Sequence, residues 1–223
     1  MKEIVFHGLV LLRNEGHVMT PRPASERLVS EALRRLIGRG RCRIADVGTG
    51  SGAIATAVAS ACPDVEAWAT DINAAAVLLA RTNVRRHGLV RRVFVQRGDL
   101  LAPVPAPLDL IVANLPCLPE AAAADHPDLW VEPADAMFAA GDGPGPYRRL
   151  IDDPSDWLAA DGALLLQLDR RILVAGRNDL AGLRAGIDDV PLAVDVFTPT
   201  RPETMSAARI WSIRIKSAES CRS

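Results

Sequence analysis

The sequence predicts a single α/β domain with a mostly parallel sheet, helices on both faces and an antiparallel pair of strands at one edge. Seven short apolar runs have the length and composition of strands, and in the first half of the chain they alternate with helical patterns. Strands that alternate with helices are joined by right-handed crossovers, so their sheet is parallel and covered on both faces. The length of 223 residues, of which 49% are hydrophobic, suits one well-filled core.

Each element follows from its own local pattern. The predicted strands cover the ranges 43–48, 65–71, 91–99, 108–114, 162–169, 193–197 and 208–215. The predicted helices cover residues 24–38, 51–62 and 74–88. A turn-rich segment joins the last two strands, so they are expected to pair antiparallel at one edge. Residues 1–38 form an N-terminal extension with a short strand and a lead helix, and the whole of 1–223 is expected to be one domain.

The charge balance gives no global reason to expect a nucleic-acid or membrane partner. The 26 lysines and arginines nearly balance the 27 aspartates and glutamates, for a net charge of −1. No apolar stretch approaches the roughly 18 residues of a membrane span, and no cleavage site of a signal peptide follows the N-terminal residues. The protein is therefore expected to be cytoplasmic, with no membrane association.

Metal binding is not expected either. The cysteines lie far apart without a CxxC pair, and the histidines show no metal-ligand spacing. This cysteine usage fits a reducing cytosol.

A cluster of arginines is the strongest local basic feature. Its members are Arg81, Arg85, Arg86, Arg91, Arg92 and Arg97, with His87 among them. The cluster fits either a solvated helix face or a landing patch for RNA. No aromatic residues interleave it, as they would in a platform for single-stranded nucleic acid.

A glycine-rich loop follows the first predicted strand and is the first candidate ligand site. Its sequence is Asp46-Val47-Gly48-Thr49-Gly50-Ser51-Gly52. In a parallel sheet, ligands bind beyond the carboxyl ends of the strands. Glycines let the backbone turn sharply and approach a ligand, and the N–H groups of the next helix point at it. The loop residues assigned to ligand binding are Asp46, Gly48, Thr49, Gly50 and Gly52.

Two further aspartates end the next two strands. Asp71 stands where a carboxylate accepts hydrogen bonds from both hydroxyls of a ribose, and Asp99 stands where a protein group contacts the edge of an adenine. Ile72 and Leu100, which follow them, are assigned to the same ligand. Acids at three successive strand ends favour an adenosine-containing ligand over a turn without a ligand.

The spacing of the glycines favours S-adenosylmethionine (SAM) over a dinucleotide. The loop has the pattern GxGxG with Asp46 ahead of it, whereas the dinucleotide fingerprint is GxGxxG. A pyrophosphate favours helix N–H groups without a negative charge nearby, while a ligand with an ammonium and a sulfonium gains from Asp46 at its amino-acid end. An NAD-dependent oxidoreductase is the alternative among enzymes of another class.

The fourth predicted strand ends in Asn114-Leu115-Pro116, where a substrate would meet the cofactor. An amide nitrogen is a poor nucleophile because its lone pair is delocalised into the carbonyl. Acceptors for both of its N–H groups can hold it with the lone pair toward a sulfonium methyl, and Asn114 and the Leu115 backbone carbonyl supply two. Pro116 keeps Leu115 extended. These three residues form the predicted catalytic group, with Asn114 also beside the cofactor; an exocyclic amine of a nucleobase would suit the same geometry.

The ordered motifs resemble those of the HemK-type (PrmC-type) protein-glutamine methyltransferases, a family of class I SAM-dependent methyltransferases. The resemblance is carried by DVGTGSG, ATDIN, GDLL and IVANLP, and more specifically by residues 20–29 and 131–151. It implies a Rossmann-like seven-stranded sheet, SAM as the cofactor and a protein glutamine, such as one in a release factor, as the methyl acceptor. It also implies a lid beside the cofactor that contains Pro21 and Arg22, and a turn that enters the next helix is the alternative for these two residues. The stretch Tyr147-Arg148-Arg149 is expected to form a helix face packed on the sheet.

The chain departs from the family at the acceptor motif. The family has Asn-Pro-Pro-Tyr, where this chain has Leu115 for the first proline and Cys117 for the aromatic residue. A small thiol in place of a stacking ring opens the predicted substrate pocket. Gln167 stands where the family has a glutamate, and the family's N-terminal helical docking domain is not matched. The alternatives are methylation of an RNA nucleobase or a small molecule, and a SAM-binding module without catalysis.

Overall fold

The elements of the protein follow the predicted alternation of strands and helices. The structure, a computed structural model, describes residues 1–119, 133–139, 143, 145–151, 156–169, 192–197 and 208–215. In chain order the elements are β1 (Lys2–Phe6), β2 (Leu9–Arg13), α1 (Pro23–Leu36), β3 (Cys42–Val47), α2 (Ala53–Ala61), β4 (Val65–Asp71), α3 (Ala74–Arg86), β5 (Val93–Arg97), β6 (Leu108–Ala113), β7 (Leu118–Pro119), α4 (Ala134–Met137), β8 (Phe138–Ala139), α5 (Gly145–Ile151), β9 (Leu158–Asp169), β10 (Leu192–Phe197) and β11 (Ala208–Ile215).

Seven strands form the central sheet, in the order β10–β11–β9–β6–β3–β4–β5. The strands β3, β4, β5, β6 and β9 are parallel, and β11 is antiparallel to both β9 and β10. This confirms the predicted sheet, including the antiparallel pair at one edge. The strand order changes direction at β3, because β4 and β5 lie on one side of it and β6 lies on the other. Ligands of open α/β sheets bind outside the carboxyl ends of the strands at such a switch point.

Apolar side chains fill both faces of this sheet. On one face, helices α1, α2 and α3 bury residues such as Leu28, Val58 and Val84 against the strands. On the other face, Tyr147 of α5 packs with Leu164 of β9. Both faces are therefore covered by helices, as predicted. Among the helices that the structure describes, none has the length and apolar character needed to span a membrane.

An N-terminal hairpin, β1 paired with β2, stands where the sequence predicts one short strand. Its two-residue turn, His7-Gly8, has positive φ angles of 47° and 78°, as tight hairpin turns require. The usual first residue of such a turn is Asn, Asp or Gly, so His7 gives little indication of the turn in the sequence.

Asn83 of α3 ties this hairpin to the glycine-rich loop. The side chain is fully buried, and its Oδ1 accepts a hydrogen bond from the Leu12 N–H at 2.8 Å. Its Nδ2 donates to the carbonyls of Leu12 at 3.0 Å and Ser51 at 2.8 Å. Because Ser51 belongs to the loop after β3, the hairpin is fixed beside the carboxyl ends of the strands.

Candidate active site

A cavity of about 280 Å³ lies at the carboxyl ends of β3, β4, β5 and β6. Its wall is formed by the ends of these strands and the loops that follow them, by residues 17–19 after the N-terminal hairpin, and by residues of α3, α4 and α5. The predicted site residues that line it are Gly48, Gly50, Asp71, Ile72, Asp99, Leu100, Asn114, Leu115 and Pro116. The structure therefore brings the predicted cofactor loop and the predicted catalytic turn into one cavity.

The glycine-rich loop approaches the turn after β6 closely. Gly48 has a φ of +70°, which favours glycine, and a β-carbon there would lie 2.5 Å from Leu115 Cδ2. Two other predicted loop residues hold the loop from behind rather than lining the cavity. The N–H of Thr49 donates to the Thr70 carbonyl at 2.9 Å, and Gly52 packs against α3. The loop is thus anchored to β4 and α3, while Gly48 and Gly50 line the cavity.

Asp46 lies behind the loop and is fully buried. Its Oδ2 accepts hydrogen bonds from Thr49 Oγ1 at 2.6 Å and from the Ala55 N–H at 3.0 Å, while Oδ1 has no partner among the described residues. Burial raises the pKa of Asp46 to about 6, although these two hydrogen bonds oppose the rise. Asp46 therefore joins the loop to the first turn of α2. Its contact with the amino-acid end of SAM stays a prediction.

Asp71 is the carboxylate that lines the cavity at the end of β4. Its Oδ2 accepts a hydrogen bond from the Gly50 N–H at 2.9 Å, and its Oδ1 accepts one from the Asn73 N–H at 2.9 Å. A carboxylate offers about four lone-pair positions, so these oxygens can accept from a ligand's hydroxyls as well as from the backbone. The next residue, Ile72, is 67% exposed and lines the same cavity.

Asp99 pairs with Arg149 of α5 at the cavity wall. The Nη2 of Arg149 lies 2.6 Å from Asp99 Oδ2, and both side chains are about half exposed. The carbonyl of the next residue, Leu100, accepts a hydrogen bond from Thr70 Oγ1 at 2.8 Å. The backbone after β5 is thus fixed beside β4, and Asp99 lines the cavity. Its contact with an adenine stays a prediction.

The turn after β6 presents Asn114, Leu115 and Pro116 to the cavity. The Nδ2 of Asn114 lies 3.5 Å from Oγ of Ser25, a buried residue in the first turn of α1. The hydroxyl of Tyr147 accepts a hydrogen bond from the Leu115 N–H at 2.7 Å and lies 3.0 Å from the Leu115 carbonyl. Residues on two helices therefore hold the turn in place.

Neither Ser25 nor Tyr147 is assigned to the site by the sequence. Tyr147 is the only tyrosine of the chain and is fully buried. A buried tyrosine hydroxyl usually has a hydrogen-bond partner, but the sequence does not identify that partner. The side chain of Ser25 is a buried polar group at the start of an amphipathic helix, on the helix face that meets the sheet. Both partners are distant in the sequence from the turn that they hold.

The residues predicted on the substrate side take different positions. Within the described residues, Pro21, Arg22 and Cys117 are not part of the cavity wall, and residues 17–19 occupy the place expected for the lid. Pro21 and Arg22 precede α1, which begins at Pro23. Cys117 is buried in the apolar cluster that contains Tyr147. The roles of these three residues in substrate binding stay predictions.

The arginine cluster is largely engaged in contacts within the fold. Arg81 donates to the Val95 carbonyl, and Arg97 donates to the Ile72 carbonyl at 3.0 Å. Further contacts join Arg92 to the carbonyls of Ala59, Cys62 and Val65, and Arg86 to the carboxylate of Glu3. These arginines stabilise the packing of the helices and the hairpin, and an RNA contact at this face stays a prediction. The residues that the structure describes include no group of His, Cys, Asp and Glu side chains that could hold a metal ion.

Comparisons with known proteins identify relatives of the chain. The methyltransferase small domain family matches residues 23–130. The release factor glutamine methyltransferase of Gloeobacter violaceus is 39% identical over 154 residues, which cover 68% of this chain and 54% of that protein. The enzyme of the same name from Bordetella pertussis is 40% identical over 184 residues, which cover 74% of this chain and 67% of that protein. The N-terminal domain of human METTL16, solved in complex with S-adenosylhomocysteine (SAH), shares the fold with a TM-score of 0.60. The two sequences are 16% identical, and the match covers 89% of this chain and 72% of that chain.

The sheet order, the glycine-rich loop and the aspartates after β4 and β5 define a class I SAM-dependent methyltransferase. Within that class, the chain belongs to the family of the release factor glutamine methyltransferases. This confirms the family and the cofactor that the motifs imply. The chain spans little more than half the length of the first curated relatives it matches, with coverages of 54%, 59% and 54%.

Proposed function

We propose that the protein transfers the methyl group of SAM to the side-chain amide nitrogen of a glutamine in a peptide-chain release factor. One observation carries this proposal, namely that the cofactor loop and the Asn114 turn share one cavity. Gly48 and Asp71 line it on the cofactor side, and Asn114 lines it on the acceptor side. The names of the relatives support the choice of acceptor.

The residues of the cavity fit SAM. Asp71 can accept hydrogen bonds from the ribose hydroxyls, and the exposed Ile72 can cover a face of the adenine, whose edge meets Asp99. Asp46 is fully buried behind the loop and outside the cavity wall, so its assignment to the amino-acid end of the cofactor stays a prediction. When bound, SAM supplies an electrophilic methyl group on a sulfonium.

The acceptor amide needs orientation more than it needs a base. Ser25 holds the Nδ2 of Asn114, which turns Oδ1 toward an N–H of the acceptor. The carbonyl of Leu115, fixed by Tyr147, takes the second N–H. With both N–H groups held by Asn114 and Leu115, the lone pair of the acceptor nitrogen would project out of the amide plane toward the side of the cavity assigned to SAM. SAM would supply the methyl group and leave as S-adenosylhomocysteine, and the amide proton would pass to water after transfer.

A nucleobase amine would suit the same acceptors, but the described contacts do not favour RNA over protein. Four of the six clustered arginines form hydrogen bonds or an ion pair within the chain, as described above. RNA binding depends on cations that are available to phosphates. The methyl-transfer assay therefore offers RNA and a release factor in separate reactions, so that methylation of either one is detected.

Methyl transfer from tritiated SAM tests the proposal directly. The purified protein is incubated with a bacterial release factor, with total RNA and with a small-molecule extract in separate reactions. We expect label in the release factor, with the methyl group located on a glutamine by mass spectrometry. Label in RNA or in small molecules alone would contradict the proposed acceptor, and no label in any fraction would indicate a SAM-binding module without catalysis.

Ligand-induced stabilisation tests the cofactor site independently of the acceptor. A ligand that binds only the folded chain raises Tm, so we expect S-adenosylhomocysteine (SAH) to raise it and NAD to leave it unchanged. Asp71→Asn should abolish most of the SAH shift, because it replaces the charged acceptor of the ribose hydroxyls. Asp64→Asn, at an exposed turn outside the cavity, is the matched control and should keep the shift.

A further inference from the structure

His17 is a polar residue of the cavity wall with no assigned role. It lies between the N-terminal hairpin and α1, is exposed, and lines the cavity together with Val18 and Met19. Its imidazole is therefore a polar group that a ligand in the cavity can reach. Neither the glycine-rich loop nor the acceptor turn includes it.

The residue next to His17 fixes it on the cofactor side of the cavity. Val18 is buried in an apolar cluster with residues of α3, and its Cγ1 lies 3.8 Å from the position that a β-carbon would take at Gly50. The N–H of Gly50 donates to Oδ2 of Asp71, the carboxylate assigned to the ribose. The Asn14 carbonyl accepts hydrogen bonds from the N–H groups of His17 at 3.2 Å and Val18 at 3.1 Å. The backbone of His17 is thus held beside the part of the wall that contains Asp71.

The contact of one ring nitrogen of His17 determines what the other nitrogen can do. Nδ1 lies 3.3 Å from the carbonyl oxygen of Glu15. A carbonyl oxygen only accepts, so Nδ1 carries the proton of the neutral ring and Nε2 is a hydrogen-bond acceptor. Nε2 forms no hydrogen bond with the part of the chain that the structure describes. The imidazole therefore offers a vacant acceptor to a ligand that carries a donor.

The ribose hydroxyls are the donors that SAM would bring to this part of the cavity. Both carboxylate oxygens of Asp71 already accept a backbone N–H, from Gly50 and from Asn73. Each oxygen keeps one further lone-pair position, so Asp71 alone would have to serve the two hydroxyls with the positions that remain. A second acceptor nearby lets the two hydroxyls bind different residues.

We propose that His17 is a further cofactor-binding residue, whose Nε2 accepts a hydrogen bond from one ribose hydroxyl of SAM while Asp71 accepts one from the other. The inference rests on the part of the proposed function that places the ribose at Asp71. It does not depend on the identity of the methyl acceptor.

Three substitutions at His17 separate the two ring nitrogens. His17→Gln places its terminal amide at the position of Nε2, His17→Asn places its amide at the position of Nδ1, and His17→Phe keeps a ring and removes both nitrogens. His87→Phe is the matched control, because His87 follows α3 outside the described cavity wall and its Nε2 lies 3.0 Å from the Val10 carbonyl. Calorimetry measures the affinity of each protein for SAH and for the 2′-deoxy and 3′-deoxy analogues of SAH.

We expect His17→Phe and His17→Asn to weaken SAH binding by about fivefold, the scale of one neutral hydrogen bond, while His17→Gln keeps most of the affinity. His87→Phe should match wild type. The loss in His17→Phe should disappear for the analogue without the hydroxyl that His17 holds, because that bond is already absent, and should persist for the other analogue. A residue that only shapes the wall would not distinguish the two analogues.

An equal loss for SAH and both analogues in His17→Phe would overturn the inference. Wild-type SAH affinity in both His17→Phe and His17→Asn would also overturn it and would leave the proposed methyl transfer standing. If His17→Phe lowers the Tm of the protein without ligand, the same comparison of analogues in His17→Asn decides. A wild-type protein that does not bind SAH would overturn both the inference and the cofactor site.

Discussion

The two sides of the cavity are built in different ways. On the cofactor side, the contacts join residues of the loop to each other and to the neighbouring strand, as Asp46 does with Thr49 and Asp71 with Gly50. On the acceptor side, Asn114 is held by Ser25, 89 residues away, and Leu115 by Tyr147, 32 residues away. The cofactor side therefore depends on a compact sequence motif, whereas the acceptor side depends on the packing of two helices against the sheet.

This difference implies that the two sides can be impaired separately. A change on the acceptor side should reduce methyl transfer and leave SAH binding intact, because no contact of Asp71 or the glycine-rich loop is removed. A change on the cofactor side should affect SAH binding or the stability of the loop first. Variants on each side can therefore test whether the two sides act independently.

Replacement of Asn114 by alanine should separate the two sides most strongly. We expect methyl transfer to fall by about a hundredfold or more, the scale for removing one preorganised hydrogen-bonding group. SAH affinity should stay near that of wild type. Turnover at saturating SAM and calorimetric SAH binding provide the two measurements. Unchanged turnover would remove Asn114 from the mechanism.

Asp46→Asn tests the buried carboxyl of the cofactor side through the pH dependence of stability. The pKa of about 6 in the fold lies above the ordinary value of 3.8, so between these values the folded chain binds more protons than the unfolded chain. The contribution of Asp46 to the free energy of unfolding is therefore complete below about pH 4 and decreases as the pH rises to about 6, by about 2–3 kcal/mol.

Urea unfolding of both proteins at several pH values between 4 and 7 measures this difference. The wild type should lose more stability than Asp46→Asn as the pH rises, because asparagine does not titrate. The curves should run parallel above the pKa of Asp46. Parallel curves over the whole range would show that the Asp46 pKa is the same in the folded and unfolded chains.

The sequence predicts the cofactor side well because its information is local. Gly48 and Gly50 lie directly after an apolar strand, and Asp71 and Asp99 end or directly follow later strands, so parallel pairing alone brings them to one edge. The seven strands of the sheet were predictable for the same reason, since each has its own apolar run. The family resemblance added the acceptor motif, whose Asn114 turn lies in the cavity.

The supports of the acceptor side are not evident from local patterns. Ser25 lies on one helix and Tyr147 on another, and only the packed fold shows that both contact the turn after β6. Residues 17–19, and not Pro21 and Arg22, line the cavity, and the N-terminal hairpin before them is fixed to α3 through Asn83. These contacts join distant segments, so no periodicity or spacing reveals them.

Removal of one oxygen atom from Tyr147 should have a smaller effect than the loss of Asn114. Tyr147→Phe leaves the buried Leu115 N–H without its partner, which costs about 1–3 kcal/mol of the free energy of unfolding. We expect kcat to fall by about tenfold as the turn loosens, with KM for SAM unchanged. Steady-state kinetics with SAM as the varied substrate measures the split. An equal loss of SAM affinity would contradict the separation of the two sides.

The ion pair between Arg149 and Asp99 links the two sides, and its removal should have the smallest effect. Both side chains are about half exposed, so solvent screens the pair and it contributes about 0–1 kcal/mol. Arg149→Ala should therefore change SAH affinity by about twofold at most, with a difference that fades as salt is added. Arg91→Ala, at an exposed arginine outside the cavity, is the matched control and should match wild type. A loss of about tenfold or more in Arg149→Ala alone would mean that α5 positions the cofactor as well as the acceptor turn, and the two sides would then have to be treated as one coupled unit.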